Sequence, residues 1–197
     1  MHENEPTFED AARFHGHICP GLAFGFRVAR VALRELGIVR AEDEELVAVV
    51  ENDSCAVDAI QVLTGCTFGK GNLIFRDHGK QVYTFFKRAT GEVLRIAVDW
   101  QPSPETAEQQ AAWELHSCGD RSPEVVALVQ ARKAVKMREV LGAPESELFT
   151  LSRPKVLPPS PARILQSLRC DGCGEKVMES RTKRLRERVL CIPCADG

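Results

Sequence analysis

The segment Leu46-Val-Ala-Val-Val-Glu51, followed directly by Asn52-Asp-Ser-Cys55, decides the fold of this chain. The first part is short, apolar and rich in β-branched residues, which is typical of a buried strand. Asp53 and Ser54 are good helix N-caps, so we expect a helix over about 55–64. A buried strand that leads directly into a helix indicates a sheet with helices packed against it.

The sequence on both sides of this segment supports the same architecture. Upstream, Pro20–Leu36 predicts a helix with one apolar face, because Pro20 suits a first helical position and Gly37 suits a C-terminal cap. Downstream, apolar runs and turn residues predict three strands and two helices, over residues 72–75, 81–87, 92–98, 104–117 and 122–141. We therefore expect an α+β fold, in which a mixed or antiparallel sheet is covered by helices.

Charge and proline content divide the 197 residues into three parts. Residues 1–150 carry 16 Lys and Arg against 23 Asp and Glu, whereas the remaining residues carry 10 against 5. The segment Ser152–Pro161 contains four prolines and cannot sustain a helix. We expect an acidic, metal-binding α+β domain over 1–150, a proline-rich linker over 151–162 and a small domain over 163–197.

Composition excludes several classes of protein. No apolar run approaches the roughly 18 residues of a membrane helix, and the acidic start lacks the features of a signal peptide. We therefore expect a cytoplasmic protein with no membrane contact. Eight cysteines in a reducing compartment indicate metal ligands or reactive thiols rather than disulfides.

Cys170-Asp-Gly-Cys173 and Cys191-Ile-Pro-Cys194 give the strongest metal signal in the sequence. Two CxxC pairs at this separation match the four-thiolate zinc site of a zinc ribbon. The alternatives are two redox-active pairs or an iron site. Redox pairs usually open a helix in a βαβ unit, which this segment lacks. So short a segment buries little core, and we expect the zinc to hold it folded.

A basic stretch, Arg181–Arg188, lies between the two CxxC pairs and carries four Arg and one Lys. Such a stretch favours contact with nucleic acid or with an acidic partner, or it is a solvated hairpin face. Aromatic residues that would stack on bases are not interleaved with the charges. Nucleic acid is therefore not the favoured partner.

The body of the chain has its own cluster of metal-ligand residue types in Phe14-His-Gly-His-Ile-Cys-Pro-Gly21. If residues 15–19 are extended, His15, His17 and Cys19 point to the same side. Cys19 also precedes a predicted helix, whose N-terminus favours a thiolate. We interpret this segment as a site for metal binding or nucleophilic chemistry.

Further candidates follow the predicted strand. Cys55 again starts a helix, and Asp58, one turn later, is either a carboxylate ligand or an ordinary first-turn acid. The helix places Cys66 about 15 Å from Cys55 at 1.5 Å per residue. Lys70 lies in a glycine-bearing loop without Walker A spacing and is a candidate for an anionic-ligand pocket. The catalytic candidates are thus His15 and Asp58, as acid or base, and Lys70.

These motifs carry a family resemblance. Phe14–Gly25 and Asn52–Asn72 resemble the FmdE/FwdE family of formylmethanofuran dehydrogenase over roughly residues 8–140, and the C-terminal segment resembles the zinc ribbon of many members. The resemblance implies an α+β body, a homodimer and a second bound metal, again zinc. By position, it implies the ligands His17, Cys19 and Cys55, completed by Cys66, His15 or Asp58.

The resemblance also implies a link to one-carbon metabolism. In that pathway a molybdenum or tungsten pterin enzyme reversibly reduces carbon dioxide to formylmethanofuran, and its other subunits become expected partners. The chain is too short for a molybdopterin enzyme, so we expect an accessory or regulatory protein. One alternative is a zinc-dependent enzyme for a small one-carbon or pterin-like substrate. The other is a redox or metal sensor whose ribbon binds nucleic acid.

Overall fold

A five-stranded mixed sheet forms the centre of the first part of the chain. In the computed structural model, which describes residues 5–197, its strands are β1 (Leu46–Val50), β2 (Leu73–Phe75), β3 (Val82–Lys87), β4 (Glu92–Val98) and β5 (Phe149–Ser152). The strand order is β2-β1-β3-β4-β5; β1 and β2 are parallel, and the other neighbours are antiparallel. The α+β class and the mixed sheet are confirmed, and β5 is an additional strand.

Helices cover one face of this sheet. They are α1 (Phe8–His15), α2 (Pro20–Leu36), α3 (Ala56–Thr64), α4 (Ala107–Ser117), α5 (Pro123–Gly142) and the single turn α6 (Glu145–Leu148). The predicted bounds of α2 are confirmed, and Gly37 caps it in the left-handed conformation. Helix α1 was not predicted. It begins with a capping box, in which Thr7 and Asp10 bond each other's backbone N–H groups.

The main core lies between the sheet and α2. Leu46, Ala48 and Val50 of β1 are buried on the helix side, together with Tyr83 and Phe85 of β3. Helix α2 contributes nine buried residues, more than any other helix within residues 5–197. This packing makes α2 the support on which the neighbouring helix ends are placed.

The opposite face, which we call the outer face, is covered differently. Val47, Val49, Phe86 and Val93 form a second apolar cluster there. Residues 154–160, which we call the strap, line the same face. Strand β5 extends to Ser152, which lies within the segment expected as a linker.

The chain divides into two compact units, Met1–Pro161 and Ala162–Gly197. The second contains two hairpins and a short terminal helix: β6 (Ser167–Arg169) with β7 (Lys176–Met178), β8 (Thr182–Leu185) with β9 (Arg188–Cys191), and α7 (Ile192–Asp196). Its buried cluster consists of Cys170, Leu190 and Cys191. Such a small core agrees with a fold that depends on a metal.

Among residues 5–197, no helix is both long and apolar enough to cross a membrane. The N-terminal residues from which a signal peptide was judged absent lie partly outside the described chain, since its description begins at Glu5.

The crossing of α2 and α3 gives a first test. A Cβ on Gly25 would lie 2.1 Å from the carbonyl oxygen of Ala56. We predict that Gly25→Ala lowers the free energy of unfolding by about 1–3 kcal/mol, because the two helices must separate. Urea denaturation measures this change.

Gly142→Ala is the matched control, because a Cβ at the end of α5 meets no described atom within 4 Å. It should leave the urea midpoint unchanged or raise it slightly. Equal midpoints for the two variants would show that the helices do not approach each other as closely as the structure has them.

Candidate metal centres

Four side chains of the first unit converge on one point. They are His15, His17, Cys19 and Cys55, which we call the body cluster, and one ligand atom from each lies within 4.8 Å of the others. His15 ends α1, Cys19 precedes α2 and Cys55 precedes α3. The sequence predicted three of these residues as ligands and named His15 among the candidates for completing the set.

The backbone brings these residues together by a route that the sequence analysis did not anticipate. Residues 15–19 are not extended; α1 runs through His15 and ends at Gly16, which adopts the left-handed conformation at φ 88°. This turn folds the chain back, so that the rings of His15 and His17 lie 4.3 Å apart between centroids. Glycine suits this position because other residues rarely adopt a positive φ.

The two cysteines sit at the starts of adjacent helices. Cys19 caps α2 with its Sγ, which accepts a hydrogen bond from the Leu22 N–H at 3.4 Å. Burial, followed by the neighbouring Cys19 thiol, raises the pKa of Cys55. The expectation of a low-pKa thiol at Cys55 is therefore wrong for the metal-free chain. A bound cation would reverse the effect, because its charge favours the thiolate.

Asp58 contacts the body cluster through His15. Its Oδ2 lies 2.7 Å from Nδ1 of His15, while Nε2 of the same ring lies 3.9 Å from Sγ of Cys19. The carboxylate therefore orients the imidazole so that its other nitrogen faces the cluster. Histidine ligands of metals are commonly held in this way. Asp58 accordingly acts as a positioning group rather than as one of the four converging residues.

A cleft of about 380 Å³ opens beside the body cluster. His15, Cys55 and Asp58 form one wall, and Phe68 and Phe75 contribute aromatic side chains. Parallel strands β1 and β2 both end at this cleft, and such edges of parallel sheets are preferred ligand sites. Phe68 is 76% exposed, which is unusual for an aromatic residue and leaves its ring free to contact a ligand.

Two predicted site residues lie elsewhere. Cys66 follows the far end of α3; it is fully buried, its Sγ donates to the Leu46 carbonyl at 3.3 Å, and burial raises its pKa to about 11. The ammonium of Lys70 donates to three carbonyls, those of Ala41, Glu42 and Asp43. These contacts correct both expectations: Cys66 packs in the core, and Lys70 fastens the loop before β1.

The second unit holds the ribbon cluster, consisting of Cys170, Cys173, Cys191 and Cys194, whose Sγ atoms lie within 4.8 Å of one another. Backbone N–H groups of Cys191 and Gly172 donate to Cys170 at 3.2 and 3.3 Å. Such bonds, that of Cys191 foremost, lower the pKa of Cys170 to about 6. Contacts with Cys191 and the other thiols raise the pKa of Cys194 to about 12. Four thiolates thus accumulate here only around a cation.

The basic stretch forms the β8–β9 hairpin of the same unit. Lys183 pairs with Asp196, and Arg188 donates to the Asp171 carbonyl at 2.9 Å. Part of the positive charge is therefore used within the ribbon itself.

Comparison with known proteins places these features. Residues 14–150 match the family described as "FmdE, Molybdenum formylmethanofuran dehydrogenase operon", and residues 163–197 match "Prokaryotic dksA/traR C4-type zinc finger". The fold and the two clusters define a metal-binding α+β protein with a C-terminal four-cysteine zinc finger. This chain belongs to the FmdE family, as the resemblance of its motifs indicated.

Two relatives extend the comparison. A crystal structure of an FmdE-like protein of tungsten formylmethanofuran dehydrogenase from Syntrophus aciditrophicus matches with a TM-score of 0.58 and 25% identity, covering 96% of this chain and 90% of that one. A "Probable S-adenosyl-L-methionine-binding protein" of Archaeoglobus fulgidus is 31% identical over 195 residues, or 94% of this chain. This chain spans about half of that relative, 51% of its length.

Metal removal tests the ribbon. We predict that a chelator unfolds Ala162–Gly197 while the sheet of the first unit stays protected, because only the second unit lacks a substantial core. Hydrogen exchange with and without zinc measures both units in one sample.

Cys191→Ser should reproduce the effect of the chelator on the ribbon. Cys118→Ser should change nothing, because Cys118 is exposed and belongs to neither cluster. A ribbon that keeps its amide protection without metal would contradict the prediction.

Proposed function

We propose that this protein is a zinc-binding accessory or regulatory protein of the FmdE type, with a second zinc in the body cluster. The convergence of His15, His17, Cys19 and Cys55 carries the proposal. Two imidazoles and two thiolates are a donor set that zinc accepts in tetrahedral geometry. Two thiolate charges also neutralise the ion, which makes its partial burial tolerable.

The body zinc would act on the fold as a fastener. Its four ligands would join the end of α1 to the starts of α2 and α3, three helix ends that carry few other cross-links. The ion would also supply Lewis acidity at the wall of the cleft. The residues themselves fix the geometry: Asp58 holds His15, and Leu22 holds Cys19 through its N–H group.

The cellular setting of the proposal rests on the family. The matching family is described by the molybdenum formylmethanofuran dehydrogenase operon, and the relative from Syntrophus aciditrophicus is described by the tungsten enzyme. We therefore place the protein in one-carbon metabolism in the cytoplasm, as a homodimer that associates with the other subunits of such a dehydrogenase. An accessory role suits a chain whose two clusters both offer a complete set of four protein ligands.

The cleft supports a second candidate, a zinc-dependent enzyme for a small substrate. His17 is exposed, so it is the ligand that a substrate would most easily displace. Cobalt replacing the body zinc distinguishes the candidates by its visible spectrum. A spectrum that changes on addition of imidazole indicates an exchangeable position and favours the enzyme. An unchanged spectrum favours the accessory protein.

Zinc content tests the body site directly. We predict two zinc ions per wild-type chain, one in Cys19→Ser and one in Cys173→Ser, because each substitution removes a ligand from a different cluster. Elemental analysis of the purified proteins gives the counts. One zinc in both the wild type and Cys19→Ser would refute the body site while leaving the ribbon site intact.

Asp58 gives a prediction that depends on its positioning role. Asp58→Asn should weaken zinc binding at the body cluster about 10–100-fold, because His15 loses the carboxylate that orients it. Competition with a chromophoric chelator measures the affinity. Asp53→Asn removes the same charge from an exposed position nearby and should leave the affinity within about twofold. Equal losses in both variants would mean that only the general charge matters.

A further inference from the structure

The outer face of the sheet carries a row of side chains that the metal clusters do not use. Cross-strand pairing places Val49 opposite Thr84, Thr84 opposite Arg95, and Arg95 opposite Ser152. Residues paired in this way are neighbours on one face. The row runs from an apolar side chain, through a hydroxyl, to a guanidinium near the middle of the sheet.

The strap spans this row and is fastened at both ends. At its start, β5 pairs with β4 up to Ser152, and Arg153 donates to the Glu35 carbonyl at 3.3 Å. At its end, Arg88 donates to the Pro159 carbonyl at 2.9 Å. Three of the seven strap residues are prolines, which lack the N–H needed to extend the sheet. The strap therefore crosses the outer face without pairing with it.

A cavity of about 580 Å³ lies between the strap and the sheet. Val49 and Phe86 form its apolar floor, and Val156 and Leu157 of the strap line its other side. Leu157 is 91% exposed, so the strap does not fill the space beneath it. A volume of several hundred Å³ with apolar walls is typical of a small-molecule site.

The charges in this cavity are unbalanced. Arg76 and Arg95 both line it, and among residues 5–197 neither guanidinium has a hydrogen-bond or ion-pair partner. Glu51 also lines it and is paired with His78 at 3.0 Å. Two guanidinium groups against one carboxylate leave a single positive charge when His78 is neutral. This excess occurs in the acidic part of the chain, where no general positive field explains it.

We propose that this cavity binds a small organic carboxylate with an apolar tail. The planar guanidinium of Arg95 matches a carboxylate through two parallel hydrogen bonds, and Arg76 adds a second charge. The tail lies along Val49 and Phe86 beneath the strap. The single excess positive charge matches a monoanion, and a phosphate dianion would meet the carboxylate of Glu51 without full compensation. The site is separate from both metal clusters and does not depend on the proposed function.

The probe for this site is hexanoate, titrated calorimetrically into the full zinc-loaded chain. We expect saturable binding at one site per chain. Arg95→Gln should weaken it about tenfold or more, and Arg76→Gln should weaken it less, because Arg76 is the more exposed of the two. Hexan-1-ol has the same tail without the charge and should bind wild type no better than hexanoate binds Arg95→Gln.

Arg138→Gln is the matched control, since Arg138 is an exposed arginine on α5 outside the cavity. It should bind hexanoate as the wild type does, and thermal melts confirm that each variant is folded. Non-saturable binding, or equal weakening in Arg95→Gln and Arg138→Gln, would overturn the site. Inorganic phosphate that binds more tightly than hexanoate would overturn the assignment to carboxylates.

Discussion

The contact between the first turns of α2 and α3 sets the geometry of the body cluster. Gly25 of α2 faces the Ala56 carbonyl, and a Cβ on Gly21, one turn earlier, would lie 3.1 Å from the Cβ of Cys55. Two glycines four residues apart lie on the same side of a helix, so they form a flat strip on which α3 can rest. Larger residues there would push Cys55 away from Cys19. The four-residue convergence therefore depends on side chains that have no chemistry of their own.

The two clusters respond differently to the loss of a cation. In both, thiols close together cannot all ionise, as the raised pKa values of Cys55 and Cys194 show. The body cluster lies on helix ends that the main core already holds, so its residues stay near one another without metal. The ribbon has only three buried residues to replace the metal. A cation is thus a fastener for one unit and a folding requirement for the other.

The sequence predicted the parts of this protein that depend on local patterns. The apolar periodicity of Pro20–Leu36 and the β-branched run of β1 gave both elements nearly to the residue, and the CxxC spacing gave the ribbon cluster. Helix α1 was overlooked although Thr7 and Asp10 form a capping box, a signal that the sequence contains. That omission led to the extended interpretation of residues 15–19.

Contacts between distant residues were beyond the reach of those patterns. Asp58 and His15 are 43 positions apart, and only the packing of α1 against α3 makes one orient the other. Lys70 looked suited to an anionic ligand because a cation in a glycine-bearing loop has that chemistry. Its three carbonyl partners come from a loop almost 30 positions earlier. Residue type and spacing therefore identified candidate ligands, and tertiary packing decided which of them meet.

Strand β1 relates the cleft beside the body cluster to the cavity on the outer face. Its successive side chains point to opposite faces, so Val50 lines the cleft while Val49 and Glu51 line the cavity. The same alternation at the end of β2 sends Phe75 to the cleft and Arg76 to the cavity. A change at either strand end consequently disturbs both spaces. Arg95 lies on β4, beyond β3, so it reports on the outer-face cavity alone.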